Sequence, residues 1–524
     1  MLYDTTLRDG AQTEGISFSV DDKLRVTARI DQLGVHVIEG GWPGASPKEL
    51  EFFQRVRKLK LRHAVMAAFG STRRPGIAAS DDANLNALIQ AKTPIVTIFG
   101  KTWDLHVREA LRVSLDENLK MIANSVAYLR RKGREVVYDA EHFFDGYRSN
   151  PEYALKTLEA AAESGCSTIA LCDTNGGTLT SELARVIAEV RRSVRLPLGI
   201  HVHNDAGLAV ANSLAAMEAG CVQVQGTING YGERCGNADL VTIIPNLKLK
   251  MGVSCVSDRQ LADLAQLSRF VADVANMRVS ETHPYVGSSA FAHKGGIHIN
   301  AVMKNPKTYE HVSPERVGNE RRLLLSELSG KSSIMHRASK MRLHLTKETP
   351  ETKALHQQLQ QLEHQGYHFE AAEASFELVI HRTLKQHRRF FDLEGFRVTI
   401  EKRNDKLVSE ATIKVKVDGV SEHTAAEGDG PVNALDNALR KALEPFYPSI
   451  RQVHLSDFKV RVLNERAGTA ARVRVLIECR DAVDAWTTVG VSENVIEASW
   501  QALVDSVEYK LLKDQRRRGR RSRA

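Results

Sequence analysis

Short apolar runs rich in β-branched residues alternate with longer segments of helical period in the first half of the chain. The spacing predicts helices over segments such as 21–33, opening at Asp21 and Asp22, 150–164 and 207–219. The runs predict strands at about residues 2–6, 35–40, 63–69, 95–99, 135–140, 168–173, 198–203 and 222–228. Eight βα units in about 250 residues match the count and length of a TIM (β/α)8 barrel, and a doubly wound open sheet is the alternative.

The pattern changes after the barrel. Residues 258–274 still show helical period, and we place the TIM-barrel catalytic domain at 1–285. A linker subdomain over 286–393 follows, with helices expected around 312–329 and 350–365. Residues 394–515 repeat a pattern of strands and a Gly-led helix at an offset of about 62 residues, which indicates an internal duplication. The predicted fold is therefore α/β, a TIM (β/α)8 barrel followed by a helical linker subdomain and a duplicated α+β domain.

Polar residues follow several predicted strands directly, as the catalytic face of a barrel requires. His201 and His203 lie two apart on one strand, so both side chains leave the same face, and adjacent imidazoles indicate a metal site. A carboxylate is needed to complete such a site, and the candidates are Asp4, Asp9 and Asp205. The alternative for the histidines is that they are ordinary polar side chains at a strand end and bind nothing. The alternative for Asp9 is a plain surface ion pair with Arg8.

Composition and charge narrow the class of protein. Of 524 residues, 42% are apolar and 26% are charged, and no run approaches the ~20 apolar residues of a membrane span, so we expect a globular, cytoplasmic protein. Six cysteines without a C-x-x-C pair predict reduced thiols and no thiolate zinc site. Six arginines in residues 516–524 account for most of the net charge of +8, since 8 − 6 leaves +2. We expect that segment to be a disordered basic tail rather than a contact for nucleic acid or a membrane, and RNA or membrane association is the alternative.

Four motifs resemble those of a known family. They are D-T-T-L-R-D-G-A-Q at 4–12, H-V-H-N-D at 201–205, G-Y-G-E-R-C-G-N-A at 230–238 and G-G-I-H at 295–298. Over nearly the whole chain they resemble the Claisen-condensing acyltransferases that include 2-isopropylmalate, homocitrate and citramalate synthases. Segments 38–47, 68–74 and 138–147 look most like the citramalate synthase branch, whose small-molecule substrates are acetyl-CoA and pyruvate.

The resemblance implies a metal site and a set of catalytic residues. A divalent metal ion, Mn²⁺, Mg²⁺ or Zn²⁺, would be held by Asp9, His201 and His203, with Asn237 supplying a further oxygen. The other implied site residues are Arg8, on the oxygen of the 2-oxo acid; Gln12 and Thr174, on the substrate; and Glu141, His298 and Tyr309, in acid–base catalysis. Which of Glu141 and His298 removes the methyl proton of acetyl-CoA stays open. Asn300 stands where many relatives have aspartate, so no carboxylate role is assigned there.

The resemblance also implies regulation. The duplicated domain would bind an end-product amino acid, isoleucine if citramalate is the product, and the protein would be a homodimer. A dimerisation domain without a ligand is the alternative. For the activity, the alternatives are 2-isopropylmalate or homocitrate synthase, a 3-hydroxyacyl-CoA lyase, which the duplicated domain argues against, and a non-enzymatic sensor or nucleic-acid-binding protein on an inactive barrel.

Overall fold

The computed structural model describes residues 1–324, 350–369, 372–384, 389–463 and 471–521. The chain divides into two compact units. The first unit comprises Met1–Ala292 and Glu310–Arg322, and the second comprises His293–Tyr309 and Leu323–Ala524. No helix in the described part of the chain combines the length and apolarity that a bilayer crossing requires.

Eight parallel strands close into a barrel in the first unit, in chain order, which confirms the predicted fold class. The strands are β1 (Leu2–Asp4), β2 (Val37–Glu39), β3 (Val65–Ser71), β4 (Ile95–Lys101), β5 (Glu135–Glu141), β6 (Thr168–Asp173), β7 (Leu198–Val202) and β8 (Gln223–Gly226). Strand β1 pairs with β8 through Asp4 and Gly226, and this pairing closes the ring. Apolar side chains of alternate strand positions fill the barrel interior: Tyr3, Val37, Ala67, Ile95 and Val137.

Helices surround the barrel and bury their apolar faces against it. They are α1 (Val20–Leu33), α2 (Pro47–Val56), α3 (Ala83–Gln90), α4 (Asp104–His106), α5 (Leu115–Arg131), α6 (Phe143–Ser149), α7 (Pro151–Glu163), α8 (Thr180–Ser193), α9 (Ala209–Glu218), α10 (Leu240–Leu249), α11 (Asp258–Leu261) and α12 (Leu264–Val274). Helix α1 shows how local sequence sets the bounds. Its N-cap is Ser19, in a capping box with Asp22, and it ends at Gly34, whose φ of 90° is left-handed. The N-cap of α1 therefore lies two residues before the predicted helix start at Asp21.

Within the described residues, the segment between barrel and duplicated domain contains three further helices. They are α13 (Gly296–Lys304), α14 (Pro350–His364) and α15 (Glu373–Thr383), and short strands β9 (Ala292–His293) and β10 (Arg322–Leu323) accompany them. The helix expected at 350–365 is confirmed. The helix expected at 312–329 is wrong for the described residues up to 324, because a 3-10 turn at Pro314–Val317 stops at Gly318, which is left-handed. Residues 325–329 lie outside the described residues.

The duplicated domain consists of two three-stranded antiparallel sheets, each followed by a helix, and it confirms the predicted duplication. The first copy is β11 (Asp392–Arg403), β12 (Lys406–Val417), β13 (Val420–Gly428) and α16 (Pro431–Leu443). The second copy is β14 (His454–Val462), β15 (Val473–Arg480), β16 (Ala485–Ser492) and α17 (Val495–Arg521). One apolar core joins the two copies, with Ile413 and Leu435 from the first and Ile477 and Leu503 from the second.

The last helix differs from the predicted tail. Helix α17 continues to Arg521, whereas residues 516–524 were expected to be disordered. Burial of Leu511 and Leu512 holds its last turns, and Arg516 forms an ion pair with Glu377. Residues 522–524 lie outside the described residues. All six cysteines are free thiols, as predicted.

Candidate active site

The carboxyl ends of the barrel strands surround a cavity of about 540 Å³. Parallel barrel strands bring the loops that follow them to one face, so residues far apart in sequence meet there. Seven of the ten predicted site residues line this cavity: Arg8, Asp9, Gln12, Glu141, Thr174, His201 and His203. Asn237 lies beside it, in contact with Asp9.

Asp9, His201 and His203 form a compact, buried trio at the cavity floor. Their ligand atoms all lie within 4.8 Å of one another. Asp9 Oδ2 is 3.3 Å from His201 Nε2, which is 3.4 Å from His203 Nε2. The three side chains form the candidate metal site that spacing predicted for the histidines.

The protonation states of the trio suit a cation. Burial alone would raise the pKa of Asp9, but the charge of Arg8, with the two imidazoles, outweighs it and holds that pKa below its usual value. Burial lowers the pKa of His201, and burial with the neighbouring His201 lowers the pKa of His203 to about 3. Neutral imidazoles and an ionised carboxylate are the forms that bind a divalent ion, so the donor set fits one.

The side-chain amide of Asn237 faces the trio with a different atom from the one predicted. Its amide nitrogen, not its oxygen, faces the trio and donates to Asp9 Oδ2 at 3.1 Å. Its buried Oδ1 has no hydrogen-bond partner among the described residues and lies against Gly232, where a Cβ would be only 1.9 Å away. A 180° rotation of the amide would exchange the two atoms and present the unpartnered oxygen to the trio. As it stands, the contact is a hydrogen bond to a ligand and not a fourth ligand.

Arg8 is held rigidly at the cavity wall. Its Nε donates to Glu39 Oε1 at 2.5 Å, its Nη1 pairs with Asp9, and its guanidinium lies 3.8 Å from the ring centroid of Phe69. Within the described chain, Nη2 has no hydrogen-bond partner. A fixed positive charge with one uncommitted N–H edge is suited to an oxygen anion.

Glu141 and Thr174 lie on neighbouring strand ends. Glu141 ends β5 and forms an ion pair with Lys101 of β4. Thr174 follows β6, and its hydroxyl accepts a hydrogen bond from the backbone N–H of His142 at 2.9 Å. Asp4 and Asp205, the other carboxylates considered, have different partners: Asp4 accepts from Thr6, and Asp205 from Arg234.

His298 and Tyr309 belong to the second compact unit. Their rings stack with centroids 4.2 Å apart and an interplanar angle of 30°. His298 lies on α13, and Tyr309 follows the 3-10 turn Pro306–Thr308. The structure therefore brings these two predicted residues together as a pair.

Several buried polar residues of the site were missed by sequence reasoning. Glu39 binds Arg8 and Tyr3, Asp139 binds Gln225, and Gln225 contacts His201. Each lies inside a predicted apolar strand. A polar residue in such a run must find a buried partner, and this was the signal that could have identified them.

Comparisons with known proteins agree with this geometry. Residues 1–271 match the HMGL-like family, residues 285–367 the homocitrate synthase post-HMGL domain-like family, and residues 370–511 the LeuA allosteric (dimerisation) domain. The chain belongs to the HMGL-like family.

Curated relatives give a closer likeness. The chain is 57% identical over 516 residues to an (R)-citramalate synthase of Geobacter sulfurreducens and covers 98% of both chains. It is 54% identical over 517 residues to an (R)-citramalate synthase of Aquifex aeolicus, again with 98% of both chains covered. A probable 2-isopropylmalate synthase of Methanopyrus kandleri is 32% identical over 97% of both chains. Within the family, the chain is thus most similar among these three to the (R)-citramalate synthases.

Proposed function

We propose that this protein is an (R)-citramalate synthase, which condenses acetyl-CoA with pyruvate and hydrolyses the thioester to give citramalate and CoA, in isoleucine biosynthesis. The sequence identity of 57% to a curated (R)-citramalate synthase, over 98% of both chains, carries the proposal. The buried trio and the fixed guanidinium at one barrel mouth support it, since the condensation develops negative charge on the 2-oxo acid's carbonyl oxygen.

Asp9, His201 and His203 would hold the divalent ion, Mn²⁺, Mg²⁺ or Zn²⁺, each of which accepts a mixed nitrogen and oxygen shell. When bound, such an ion supplies Lewis acidity toward a carbonyl. Arg8 contributes the fixed charge: its Nη2 edge binds the oxygen of the 2-oxo acid, while Glu39 prevents the guanidinium from rotating away. Gln12 and Thr174, at the cavity lining, contact the substrate.

The proton transfers are assigned to Glu141 and to the stacked pair His298 and Tyr309. A carboxylate oxygen of Glu141 or a ring nitrogen of His298 accepts the methyl proton of acetyl-CoA, and the partner group assists thioester hydrolysis. Such positioned acid–base groups each contribute about 10²–10⁴-fold in rate. Glu141 also forms an ion pair with Lys101 at the neighbouring strand end.

Regulation by isoleucine is proposed for the duplicated domain. Its match to the LeuA allosteric (dimerisation) domain supports an effector role. Helix α16 offers a place for a carboxylate, because its N-cap is Gly430, which provides no side-chain cap, and the space around Gly430 is open.

A homodimer is proposed from the edge of the second sheet. Leu455, Phe458, Val460 and Val462 of the edge strand β14 are each more than a third exposed. Phe458 and Val460 pair with the buried residues Ile477 and Val475 of β15. The side chains of Phe458 and Val460 therefore lie on the inner face of the sheet, at an edge that the rest of the domain does not cover. A second copy of the chain is the partner that this apolar edge would meet.

The test of the activity is substrate preference in a thiol-release assay. The full-length protein with Mn²⁺ or Mg²⁺ and acetyl-CoA is given pyruvate, 2-oxoisovalerate or 2-oxoglutarate separately. We expect the largest kcat/KM for pyruvate, at least about 10-fold above that for 2-oxoisovalerate, because each methylene is worth about 1–3 kcal/mol in such a pocket and 2-oxoisovalerate has two more carbons than pyruvate. Arg8→Gln is the control that ties the signal to the cavity. A larger kcat/KM for 2-oxoisovalerate would overturn the proposal in favour of a 2-isopropylmalate synthase.

A further inference from the structure

A line of buried polar side chains leads from the candidate metal site into the barrel. His201 Nδ1 lies 2.9 Å from Gln225 Oε1, and Gln225 Nε2 donates to Asp139 Oδ1 at 3.0 Å. Gln225 is completely buried, and Asp139 and His201 are buried too. The proposed reaction uses neither Gln225 nor Asp139.

The orientation of the Gln225 amide is determined by its neighbours. Its Nε2 faces two acceptors, Asp139 Oδ1 and, at 3.4 Å, Gln223 Oε1. In this orientation the amide nitrogen donates to both oxygens and the oxygen Oε1 faces His201, whereas an exchanged amide would direct its carbonyl at Asp139 Oδ1 and Gln223 Oε1.

An amide oxygen at His201 Nδ1 determines the tautomer of the ring. A neutral imidazole carries one proton, and an acceptor at Nδ1 requires that proton to be there. Nε2 is then unprotonated, and it faces Asp9 Oδ2, His203 Nε2 and the donor nitrogen Nδ2 of Asn237, 3.3, 3.4 and 3.4 Å away.

The second histidine has no such support. His203 Nδ1 is buried and has no hydrogen-bond partner in the described part of the chain. The two imidazoles thus differ: one is oriented before any ligand binds, and the other is not.

We infer that Gln225, anchored by Asp139, is a positioning residue that holds His201 as the Nδ1–H tautomer and presents its Nε2 as a pre-arranged metal ligand. This inference rests on the metal site of the proposed function. Groups that donate or accept at the outer nitrogen of a ligating histidine tune its orientation and basicity, and their loss typically weakens metal binding about 10–100-fold.

The first test is titration of metal-free, full-length protein with Mn²⁺ alone, followed by calorimetry. Gln225→Met has nearly the same shape but neither accepts nor donates, and we expect it to bind Mn²⁺ about 10–100-fold more weakly than the wild type. Asn212→Leu is the matched control, since this equally buried amide bonds Thr178 and Thr180 away from the trio. It should lower the unfolding temperature and leave Mn²⁺ affinity unchanged.

The outcomes separate the inference from the proposed site. If Asp9→Asn binds Mn²⁺ as tightly as the wild type, the metal site itself is wrong. If Asp9→Asn loses binding and Gln225→Met does not, the positioning role is wrong. The second test needs no variant: ¹⁵N chemical shifts of the His201 ring in the metal-free protein should report a protonated Nδ1 and an unprotonated Nε2. A protonated Nε2 would overturn the inference.

Discussion

At the scale of single residues, the trio is the part of the site with the sharpest expected phenotype. Asp9→Asn and His203→Ala each remove one of three clustered donors, and we expect about a 100-fold or greater loss of metal-dependent kcat/KM, or roughly 2.7 kcal/mol. The fold should persist, as circular dichroism would show. His63→Ala is the control, because this histidine is exposed and lies outside the cavity lining. Full activity of either trio variant in chelator-treated buffer would contradict the site.

Glu39 allows a residue-scale test of the support beneath Arg8. It is completely buried and accepts hydrogen bonds from Arg8 Nε and, at 2.7 Å, from Tyr3 Oη. Glu39→Gln removes the anion and should lower the free energy of unfolding by about 3 kcal/mol, the lower end for a broken buried pair, because Asp9 still compensates Arg8. Tyr3→Phe removes the two hydrogen bonds of the hydroxyl, to Glu39 and to Thr97, and should cost about 2 kcal/mol, about 1 for each.

Urea unfolding of both variants measures which substitution lowers the free energy of unfolding more. A Tyr3→Phe loss equal to that of Glu39→Gln would show that the charge adds nothing beyond hydrogen bonding. In that case the guanidinium would be held by Asp9 and the Phe69 ring alone.

The sequence predicted the residues whose chemistry is visible in a motif, and missed those whose role depends on a neighbour. His201 and His203 are two apart on a strand, so their common face follows from period two. The orientation of the Asn237 amide depends on Asp9, 228 residues away in sequence, and no spacing rule reports it. Glu39, Asp139 and Gln225 were missed for the same reason.

At the scale of elements, strand existence was easier to predict than strand ends. All eight barrel strands were expected, and β6 has the predicted bounds of 168–173. The observed helix ends differ from the predicted ones where a side-chain cap sets the first residue of the helix, as at Ser19, or where a short turn ends in place of the expected helix, as at Gly318. Helix α15 was not expected because its apolar residues face several elements of the duplicated domain, and this surrounding contact hides the one-sided period of a surface helix.

The turn between β15 and β16 carries an element-scale prediction about pH. Asp481 accepts from Lys510 Nζ at 2.9 Å and from the backbone N–H groups of Val483 and Asp484. Burial alone would raise the pKa of Asp481, but the bonds from Lys510 and the two backbone donors hold it well below the usual value. A lowered pKa stabilises the fold above the unfolded pKa of about 3.9, and this stabilisation is lost as pH falls through the folded pKa.

Asp481→Asn should therefore lower the free energy of unfolding at pH 7 by about 3 kcal/mol, as expected for a buried pair. The difference from the wild type should stay constant from pH 7 to pH 5 and shrink below about pH 4. Asp405→Asn removes the exposed partner of Lys402 and should cost under about 1 kcal/mol. Denaturant unfolding at several pH values, followed by tryptophan fluorescence, measures these differences, and a gap that widens on acidification would contradict the assignment.

At the scale of the whole molecule, the candidate active-site cavity and the region that matches the LeuA allosteric (dimerisation) domain lie in separate parts of the sequence. The cavity is lined only by residues up to Arg234, and the LeuA-type match covers 370–511. The internal duplication in the sequence predicted the second region, because both copies share the same order of strands and helix. The assignment of residues 293–309 to the second compact unit was not predictable, because chain order alone does not report which tertiary contacts a segment makes.

Gly430 offers a test of effector control in the intact protein. An effector carboxylate at the N-terminus of α16 would use backbone N–H groups that no side chain caps. Gly430→Asp places a carboxylate of the chain itself there; the backbone φ of −160° is extended, and no atom lies within 4 Å of the added Cβ. The new cap should stabilise the fold by a few tenths of a kcal/mol and compete with the effector. We expect inhibition by isoleucine to weaken at least tenfold, while activity without isoleucine changes less than twofold.

The matched control for this substitution is Gly395→Asp, which adds the same charge to open space on β11 of the same domain. It should leave isoleucine sensitivity unchanged, and sedimentation should give the same mass for both variants and the wild type, twice 58.1 kDa if the chain is a homodimer. Coupling between effector and active sites is typically about 1–3 kcal/mol, so a tenfold loss of effector affinity, about 1.4 kcal/mol, falls within the measurable range. Equal sensitivity of Gly430→Asp and wild type would place the effector elsewhere in the domain. A wild type that does not respond to isoleucine, leucine or valine at millimolar concentration would make the duplicated domain a structural one, because a coupling free energy requires a ligand that distinguishes two states.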